Sequence, residues 1–161
     1  MASRVISEAI LTLAVLAMAI TFAVTAFSSF QRLNNAYAYK SSSTDDILKT
    51  DIEIIFAANS STTTIRIWIK NVGGSSISQN LISKSDLFFG PVENVSYIVY
   101  GGDTPPKWNY TICNDIDSDD TWDPGETIEI LVTTSQTLDT GDYKVKFSTY
   151  NGVTDTYTFS L

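Results

Sequence analysis

The chain has 161 residues and a formal net charge of −8, which disfavours nucleic acids and anionic membrane surfaces as partners. It contains no histidine and a single cysteine, Cys113, so the composition excludes histidine-dependent catalysis, imidazole metal ligands and an internal disulfide. We therefore do not expect an enzyme, and we interpret Cys113 as a small, partly buried residue.

Residues 9–30 form an uninterrupted apolar stretch without charge, proline or glycine. About 20 such residues suffice for a helix to cross a bilayer, where a helix also satisfies its own backbone hydrogen bonds. The pattern predicts a membrane or filament-core helix within residues 1–40. The alternative is a secretory signal that is removed, although the apolar part of such a signal is usually shorter. Glu8 lies at the entrance of the helix, where it either stabilises the helix dipole or pairs with the N-terminus of a neighbouring subunit.

Residues 41–47 are polar and are predicted to form a linker between this helix and a head formed by residues 48–161. Strict alternation of apolar and polar residues predicts strands at 51–57 and 63–71. Further short strands are predicted at 86–89, 95–100, 107–113, 127–133, 143–150 and 155–161. Strands at this spacing, with no helix between them, predict an immunoglobulin-like antiparallel β-sandwich. The dipeptide Asn151-Gly152 predicts a type I′ turn between the last two strands.

Residues 115–126, DIDSDDTWDPGE, form the one stretch with a metal-binding pattern. An EF-hand loop binds Ca²⁺ through oxygen ligands at positions 1, 3, 5, 7, 9 and 12. The residues at these positions are Asp115, Asp117, Asp119, Thr121 (through its carbonyl), Asp123 and Glu126. The loop departs from that pattern at position 6, where Asp120 replaces glycine. The alternative is a solvated acidic turn in which Pro124-Gly125 forms the bend.

Three sequons for N-glycosylation begin at Asn59, Asn94 and Asn109, and all three lie in the head. A sequon is relevant only where the domain is extracytoplasmic. An acidic β-rich head with three sequons suits the outside of the cell. We therefore place the N-terminus in the cytoplasm and the head beyond the membrane.

Several short motifs together resemble the FlaG family of archaellum accessory proteins. They are MAS-x-x-(I/V)-SE near the N-terminus, LKTDIEII at 48–55, KNVG at 70–73, WDPGE at 122–126, and the terminal GDYKVKF and NGV stretches. Archaellins and type IV-like pilins share the same plan of one helix and a β-sandwich. Their leader ends in a basic and a small residue, whereas only Arg4-Val5 precedes this helix. We therefore expect an uncleaved chain, although the SE pair after the leader resembles adhesive pilins.

The resemblance implies a structural protein that needs no catalytic group, and Ca²⁺ in the acidic loop, indicated by the loop's spacing, is the one candidate cofactor. FlaG-like proteins are static parts of the motor, and their β head binds a FlaF-like partner that contacts the S-layer. The resemblance thus implies a membrane-anchored component of a homo- or hetero-oligomer, with its head between membrane and S-layer. Two alternatives remain at this stage. One is a filament subunit whose helix forms the filament core, and the other is a surface domain that binds an extracellular ligand.

Overall fold

The computed structural model describes residues 2–115 and 117–161. The chain divides into two compact units, of which the first ends at Thr44 and the second is Asp45–Leu161. Within the described residues the first unit is helical, and the second contains all of the strands.

Helix α1, Ala2–Lys49, contains the apolar stretch. The hydroxyls of Thr12, Thr21 and Thr25 donate hydrogen bonds to carbonyl oxygens three or four residues earlier, at 2.7–3.0 Å. The polar groups of the apolar stretch are therefore satisfied within the helix, as an apolar environment requires. Residues Ser3–Ala38 are long and apolar enough to cross a membrane, by length and composition.

Residues 41–47, which were predicted as a polar linker, are helical within α1, and the boundary between the two compact units, after Thr44, lies among them. The segment contains neither proline nor glycine, and hence nothing in it forces the helix to end. Lys49 Nζ lies 2.6 Å from Asp45 Oδ2, one helical turn away, which favours the last turn of the helix.

The head contains ten strands and one short helix among its described residues. They are β1 Ile52–Ser61, β2 Thr64–Asn71, β3 Ile77–Ser78, α2 Gln79–Ile82, β4 Asp86–Pro91, β5 Ser96–Tyr100, β6 Lys107–Ile112, β7 Thr121–Trp122, β8 Thr127–Thr133, β9 Asp142–Ser148 and β10 Thr154–Ser160. Eight strands form one sheet in the order β1-β2-β8-β6-β5-β4-β9-β10, and β3 pairs with β7. The sheet folds over on itself, so β1-β2-β8-β6 and β5-β4-β9-β10 form the two layers of a sandwich.

The core lies between these layers and results from the alternation seen in the sequence. In β2 and β8 every second residue is buried, which places the isoleucines at 65, 67, 69, 128 and 130 inside. Trp108 and Trp122 are fully buried, and the ring of Phe147 contacts both, with centroid distances of 5.8 and 6.4 Å. Aromatic and branched apolar side chains from both layers therefore stabilise the sandwich.

The β-sandwich prediction is confirmed, with two differences in detail. First, α2 interrupts the strands, although no helix was expected there. Second, β5 and β6 pair in parallel through Val99↔Lys107 and Tyr100↔Trp108, whereas the other strand pairs are antiparallel. This short parallel pair is the place where one layer continues into the other.

The predicted hairpin between β9 and β10 is present, but its turn is not of type I′. That turn needs positive φ at both central residues. Among the described residues only Ser118 and Asp120 have positive φ without being glycine, so Asn151 does not meet the requirement. The turn is closed by Gly152 N–H donating to Thr149 C=O at 2.8 Å, and Gly152 itself has φ of 89°.

The head holds the last turn of α1 through two loops. Gly73 N–H donates to Asp51 C=O at 2.9 Å, and Gly74 N–H donates to Lys49 C=O at 2.7 Å. Asn151 Nδ2 donates to Thr50 Oγ1 at 2.9 Å. The bond from Gly74 satisfies the carbonyl of the last helical residue, one of the groups that the end of a helix leaves without a partner. The other two bonds hold the residues that directly follow the helix, Thr50 and Asp51. The motifs at 70–73 and 151–153 therefore have a structural role at this end of the head.

Candidate functional site

The acidic loop, residues 115–126, connects β6 to β8 and includes β7. It is anchored on Asn71, which is fully buried at the end of β2. Asn71 Nδ2 donates to Trp122 C=O at 3.0 Å, Asn71 N–H donates to Glu126 C=O at 2.9 Å, and Gly125 N–H donates back to Asn71 C=O at 2.8 Å. The KNVG and WDPGE motifs are therefore in direct contact. Nothing in the sequence spacing indicated this contact, because 51 residues separate Asn71 from Trp122.

Carboxylates shape the loop by accepting hydrogen bonds from its own backbone. Asp115 accepts from the N–H groups of Ser118, Asp119 and Asp120 at 2.7–3.3 Å. Asp119 Oδ1 accepts from Thr121 N–H at 2.7 Å, and Glu126 Oε2 accepts from Asp123 N–H at 3.0 Å. This is the behaviour of short acidic side chains in turns. It fits either of the two interpretations of the loop.

Asp120 adopts the left-handed conformation, with φ of 59°. In an EF-hand loop this is the position at which glycine allows the sharp turn. Aspartate tolerates positive φ better than most residues because its short side chain bonds locally. The departure from the EF-hand pattern at Asp120 therefore does not prevent the chain from turning there.

The structure places five of the six predicted metal ligands in two overlapping groups of three. One carboxylate oxygen from each of Asp115, Asp117 and Glu126 lies within 4.8 Å of the others, and the same holds for Asp117, Asp119 and Asp123. Asp117 belongs to both groups. The sixth predicted ligand, Thr121, is half-buried in β7, where it pairs with Ser78. Such carboxylates are the oxygen ligands that Ca²⁺ prefers.

Partial desolvation and the negative charges of Asp119, Asp123 and Asp115 raise the pKa of Asp117. Both causes disfavour the ionised form of the carboxyl group. A cation placed among these oxygens would instead favour the ionised form of Asp117 and lower its pKa. Calcium binding by this loop nevertheless stays a prediction.

The three sequon asparagines are all exposed. Asn94 lies in the turn between β4 and β5, and Asn59 lies near the end of β1. Asn109 lies on β6 and points outward, because its neighbours Trp108 and Tyr110 are the more buried residues of that strand. Modification of these residues also stays a prediction.

Cys113 is a free thiol and is exposed rather than partly buried as expected. Desolvation and the charge of Glu129 raise the pKa of this thiol, which keeps it protonated near neutral pH. A protonated thiol is a poor nucleophile. Cys113 therefore has none of the features of a catalytic cysteine.

The edges of the sheet are less open than the strand order alone indicates. β1 and β10 end the order, yet they lie beside each other in the folded head. Asp155 on β10 accepts a hydrogen bond from Ile54 N–H on β1 at 2.7 Å. An unpaired edge invites pairing with another chain, and a carboxylate placed at the edge opposes it. Sequence reasoning missed this contact, because an isolated aspartate in a strand gives no signal.

Both layers carry charges of both signs among their outward-facing side chains. On β1-β2-β8-β6, Arg66 Nη1 lies 3.1 Å from Glu129 Oε1, and Glu53 is directly opposite Lys70. On β5-β4-β9-β10, the outward residues of β4 and β9 include two carboxylates, Asp86 and Asp142, as well as Lys144 and Lys146.

A long apolar helix followed by a β-sandwich head defines a helix-anchored β-sandwich protein, without the residues of a histidine-dependent enzyme. The model of the archaeal-type flagellin family matches residues 2–159. An uncharacterised protein of Archaeoglobus fulgidus is 30% identical over 159 residues, which cover 95% of each chain. The chain belongs to the archaeal-type flagellin family.

Two solved structures show what the fold is similar to. The archaellum periplasmic stator protein FlaG from Sulfolobus acidocaldarius has a TM-score of 0.59 and 27% identity, covering 68% of this chain and 99% of that one. The periplasmic stator complex of FlaF and FlaG from the same organism has a TM-score of 0.58 and 28% identity, covering 67% and 87%. The resemblance to FlaG expected from the sequence motifs is confirmed.

Proposed function

We propose that this protein is a non-enzymatic, membrane-anchored stator component of the archaellum. The observation that carries the proposal is the match to FlaG, because it extends over 99% of that chain at 27% identity. The apolar helix is the membrane anchor in this proposal, and the head lies outside the membrane. Such a role needs a rigid domain with a binding surface, and no catalytic group.

The head binds a FlaF-like partner and, through it, the S-layer. Support for the partner comes from the match to the complex of FlaF and FlaG. The S-layer contact rests on the family resemblance alone. A component of this kind transmits force between membrane and envelope, so the firm attachment of the last helical turn to the head suits it. Gly73, Gly74 and Asn151 provide that attachment.

A filament subunit is the second candidate, and the match of the archaeal-type flagellin model to residues 2–159 favours it. In that case α1 would pack against other helices in the filament core. The two candidates place the protein in different parts of the cell. Cells can therefore be sheared to remove their filaments, and the filament and envelope fractions can be probed with an antibody against the head.

The stator proposal expects the protein to remain with the cell envelope after shearing. It also expects the full chain, solubilised in detergent, to bind the FlaF-like protein of the same cell. Recovery in the sheared filaments at the abundance of a major subunit would support the filament subunit instead. A filament protein that is known to be major serves as the control for complete shearing.

A further inference from the structure

Asn151-Gly152 is the one asparagine–glycine pair of the chain, because every other asparagine is followed by a residue with a side chain. Asparagine is one of the thermolabile residues of proteins. It is most labile before glycine, since glycine has no Cβ that would keep its main-chain nitrogen away from the preceding side-chain amide. The pair lies at the tip of the β9–β10 hairpin, where Asn151 is half-buried and Gly152 is exposed. Water therefore reaches this turn.

The folded turn holds both of the groups that would react. Gly152 N–H donates to Thr149 C=O at 2.8 Å, so the main-chain nitrogen is engaged. Asn151 Oδ1 accepts from Thr149 Oγ1 at 2.7 Å, and Asn151 Nδ2 donates to Thr50 Oγ1 at 2.9 Å. The side-chain amide is thereby fixed at both of its polar ends. Attack of the nitrogen on the amide requires these bonds to open, so the reaction proceeds from a locally opened turn.

The bond from Asn151 to Thr50 also belongs to the attachment of the last turn of α1 to the head. Thr50 is buried, and its hydroxyl donates to Asp46 C=O at 2.7 Å, so the hydrogen bonds continue from Asn151 into the helix. Asn151 Nδ2 lies 3.4 Å from the same carbonyl oxygen of Asp46. An amide nitrogen donates here, whereas an ionised carboxylate can only accept. Conversion of Asn151 to an acid would therefore remove the donor that Thr50 and Asp46 share.

The negative charge gained on conversion would oppose the same attachment. The pKa of Tyr150 is raised, first by burial and then by the negative charge of Asp46, so this charge acts on the β9–β10 turn. Lys49, the basic residue in the last turn of α1, lies 2.6 Å from Asp45. A carboxylate at position 151 would therefore be repelled by Asp46.

We propose that Asn151 is a site of spontaneous deamidation, and that its conversion irreversibly loosens the attachment of the last turn of α1 to the head. The Gly152 nitrogen forms a bond to Cγ of Asn151, and the bond from Cγ to Nδ2 breaks. The amide nitrogen leaves as ammonia with the proton of Gly152 N–H, and water opens the resulting succinimide to aspartate or isoaspartate. Water is the co-reactant, and nothing is oxidised or reduced. This inference does not depend on the proposed function.

The first experiment measures which asparagine reacts and how the fold controls the rate. The full chain is incubated at neutral pH, folded in detergent or unfolded in guanidinium chloride, and deamidation of each asparagine is followed by mass spectrometry of proteolytic peptides. In the unfolded chain we expect Asn151 to react fastest of all asparagines. In the folded chain it should react about tenfold more slowly or less, because the holding bonds must open first.

Two variants test the role of the bond to Thr50. Thr50→Val keeps the shape of the side chain but removes the hydroxyl, and it should speed deamidation of Asn151 in the folded chain about threefold or more, as loss of one hydrogen bond implies. Thr134→Val is the matched control, because it removes a hydroxyl that donates to Thr63 C=O in another part of the head. It should change the rate at Asn151 by about twofold at most. The comparison of the folded with the unfolded unmodified chain decides whether the fold protects Asn151 even if Thr50→Val does not fold.

The second experiment measures the consequence of conversion. Asn151→Asp is compared with Asn80→Asp, which adds the same charge at an exposed position. The measurement is amide hydrogen exchange, in the full chain, of peptides that contain Thr50 or Gly74. Asn151→Asp should speed this exchange about fivefold or more, and Asn80→Asp about twofold at most.

Three results would overturn the proposal. The first is an Asn151 that reacts no faster than the other asparagines in the unfolded chain, since the site would then have no chemical preference. The second is an equal rate at Asn151 in the folded and the unfolded chain, because the attachment would then not protect it. The third is equal hydrogen exchange in Asn151→Asp and Asn80→Asp, which would show that conversion leaves the attachment intact.

Discussion

Ile54 N–H donates a hydrogen bond to the carboxylate of Asp155 at 2.7 Å, and this bond joins the first large strand of the head to the last. The register of β1 with β2 is irregular between Ile54 and Phe56, next to this bond. A bulge at a sheet edge re-aims the backbone and discourages further pairing. Because the bond from Ile54 to Asp155 links β1 to β10, it helps to hold the two edges of the sandwich together.

Asp155→Ala should destabilise the head by about 1.5–3 kcal/mol, the usual range for a hydrogen bond to a charged group that is partly buried. For a domain of this size the melting temperature should fall by several degrees. Thermal unfolding of the full chain in detergent, followed by near-ultraviolet circular dichroism, measures the change. Asp139→Ala, at an exposed loop position, is the control. Equal melting temperatures for the two variants would show that Asp155 does not stabilise the edge.

Gly73 packs directly against the main chain at the end of α1. A Cβ at this position would collide with main-chain atoms of Lys49 and Asp51. Main-chain atoms cannot rotate aside as the end of a flexible side chain can. Gly73→Ala should therefore destabilise the head by about 2 kcal/mol or more, in the range of overpacking and backbone strain. The measurement is the midpoint of unfolding in urea.

The adjacent residue provides a matched control. A Cβ on Gly74 would have its nearest neighbour, Lys49 C=O, at 4.0 Å, which leaves room for alanine. Gly74→Ala should change the free energy of unfolding by less than about 1 kcal/mol. If the two alanine variants unfold at the same urea concentration, the close approach at Gly73 does not affect the free energy of unfolding.

The alternation of apolar residues in the sequence was enough to predict the eight strands of the large sheet, but not the two-residue strands β3 and β7. In β2 the isoleucines at 65, 67 and 69 are all fully buried, as their period of two requires. Periodicity carries no information about which strands become neighbours. The parallel pairing of β5 with β6 and the meeting of β1 with β10 therefore became visible only in the structure.

The local features were harder to predict because tertiary contacts decide them. Asn151-Gly152 favours a type I′ turn by itself, yet the side chain of Asn151 binds Thr50 and the loop takes another form. Polar residues 41–47 looked like a linker but remain helical. In the acidic loop, five carboxylates within 12 residues lie in two overlapping groups of three, and their role as metal ligands stays a prediction.

Asn94 should be the most highly glycosylated of the three sequon residues when the protein is isolated from its own cells. It is exposed in the turn between β4 and β5, whereas Asn59 and Asn109 lie on paired strands. Loops are the most accessible sites for modification. Transfer of an oligosaccharide from a polyprenyl phosphate carrier to Asn94 Nδ2 would release the carrier phosphate and a proton. Mass spectrometry of proteolytic peptides measures the occupancy of each site.

Asn80 is exposed but lies outside any sequon, so its peptide serves as an internal control. The Asn94→Gln variant should lose the largest share of glycan mass from the intact protein. Native protein whose Asn94 peptide carries no added mass would contradict the prediction. Glycan on Asn80 would show that the modification does not depend on the sequon.

Calcium should stabilise the head through the acidic loop. Repulsion among the carboxylates of Asp115, Asp117 and Glu126 opposes the loop structure when no cation is present. An ion that binds only the folded head adds about 2.7 kcal/mol at a hundredfold excess over Kd. Calorimetry of the full chain in detergent should show a melting temperature several degrees higher in millimolar calcium than in a chelator. Asp115→Asn/Asp117→Asn should abolish this increment, and Asp103→Asn/Asp139→Asn, at exposed positions outside the loop, should preserve it.

The dependence on pH follows from the raised pKa of Asp117. A carboxyl group whose folded pKa lies above its unfolded value binds protons more tightly in the folded state, so without calcium its contribution becomes less favourable as the pH rises through that window. Protons and calcium compete for the same oxygens. The rise in melting temperature caused by calcium should therefore be largest near neutral pH and shrink as the pH falls toward the raised pKa of Asp117.

A rise in melting temperature that stays constant on acidification, or that persists in Asp115→Asn/Asp117→Asn, would place the calcium elsewhere. Equal melting temperatures with calcium and with chelator would leave the loop as a solvated acidic turn.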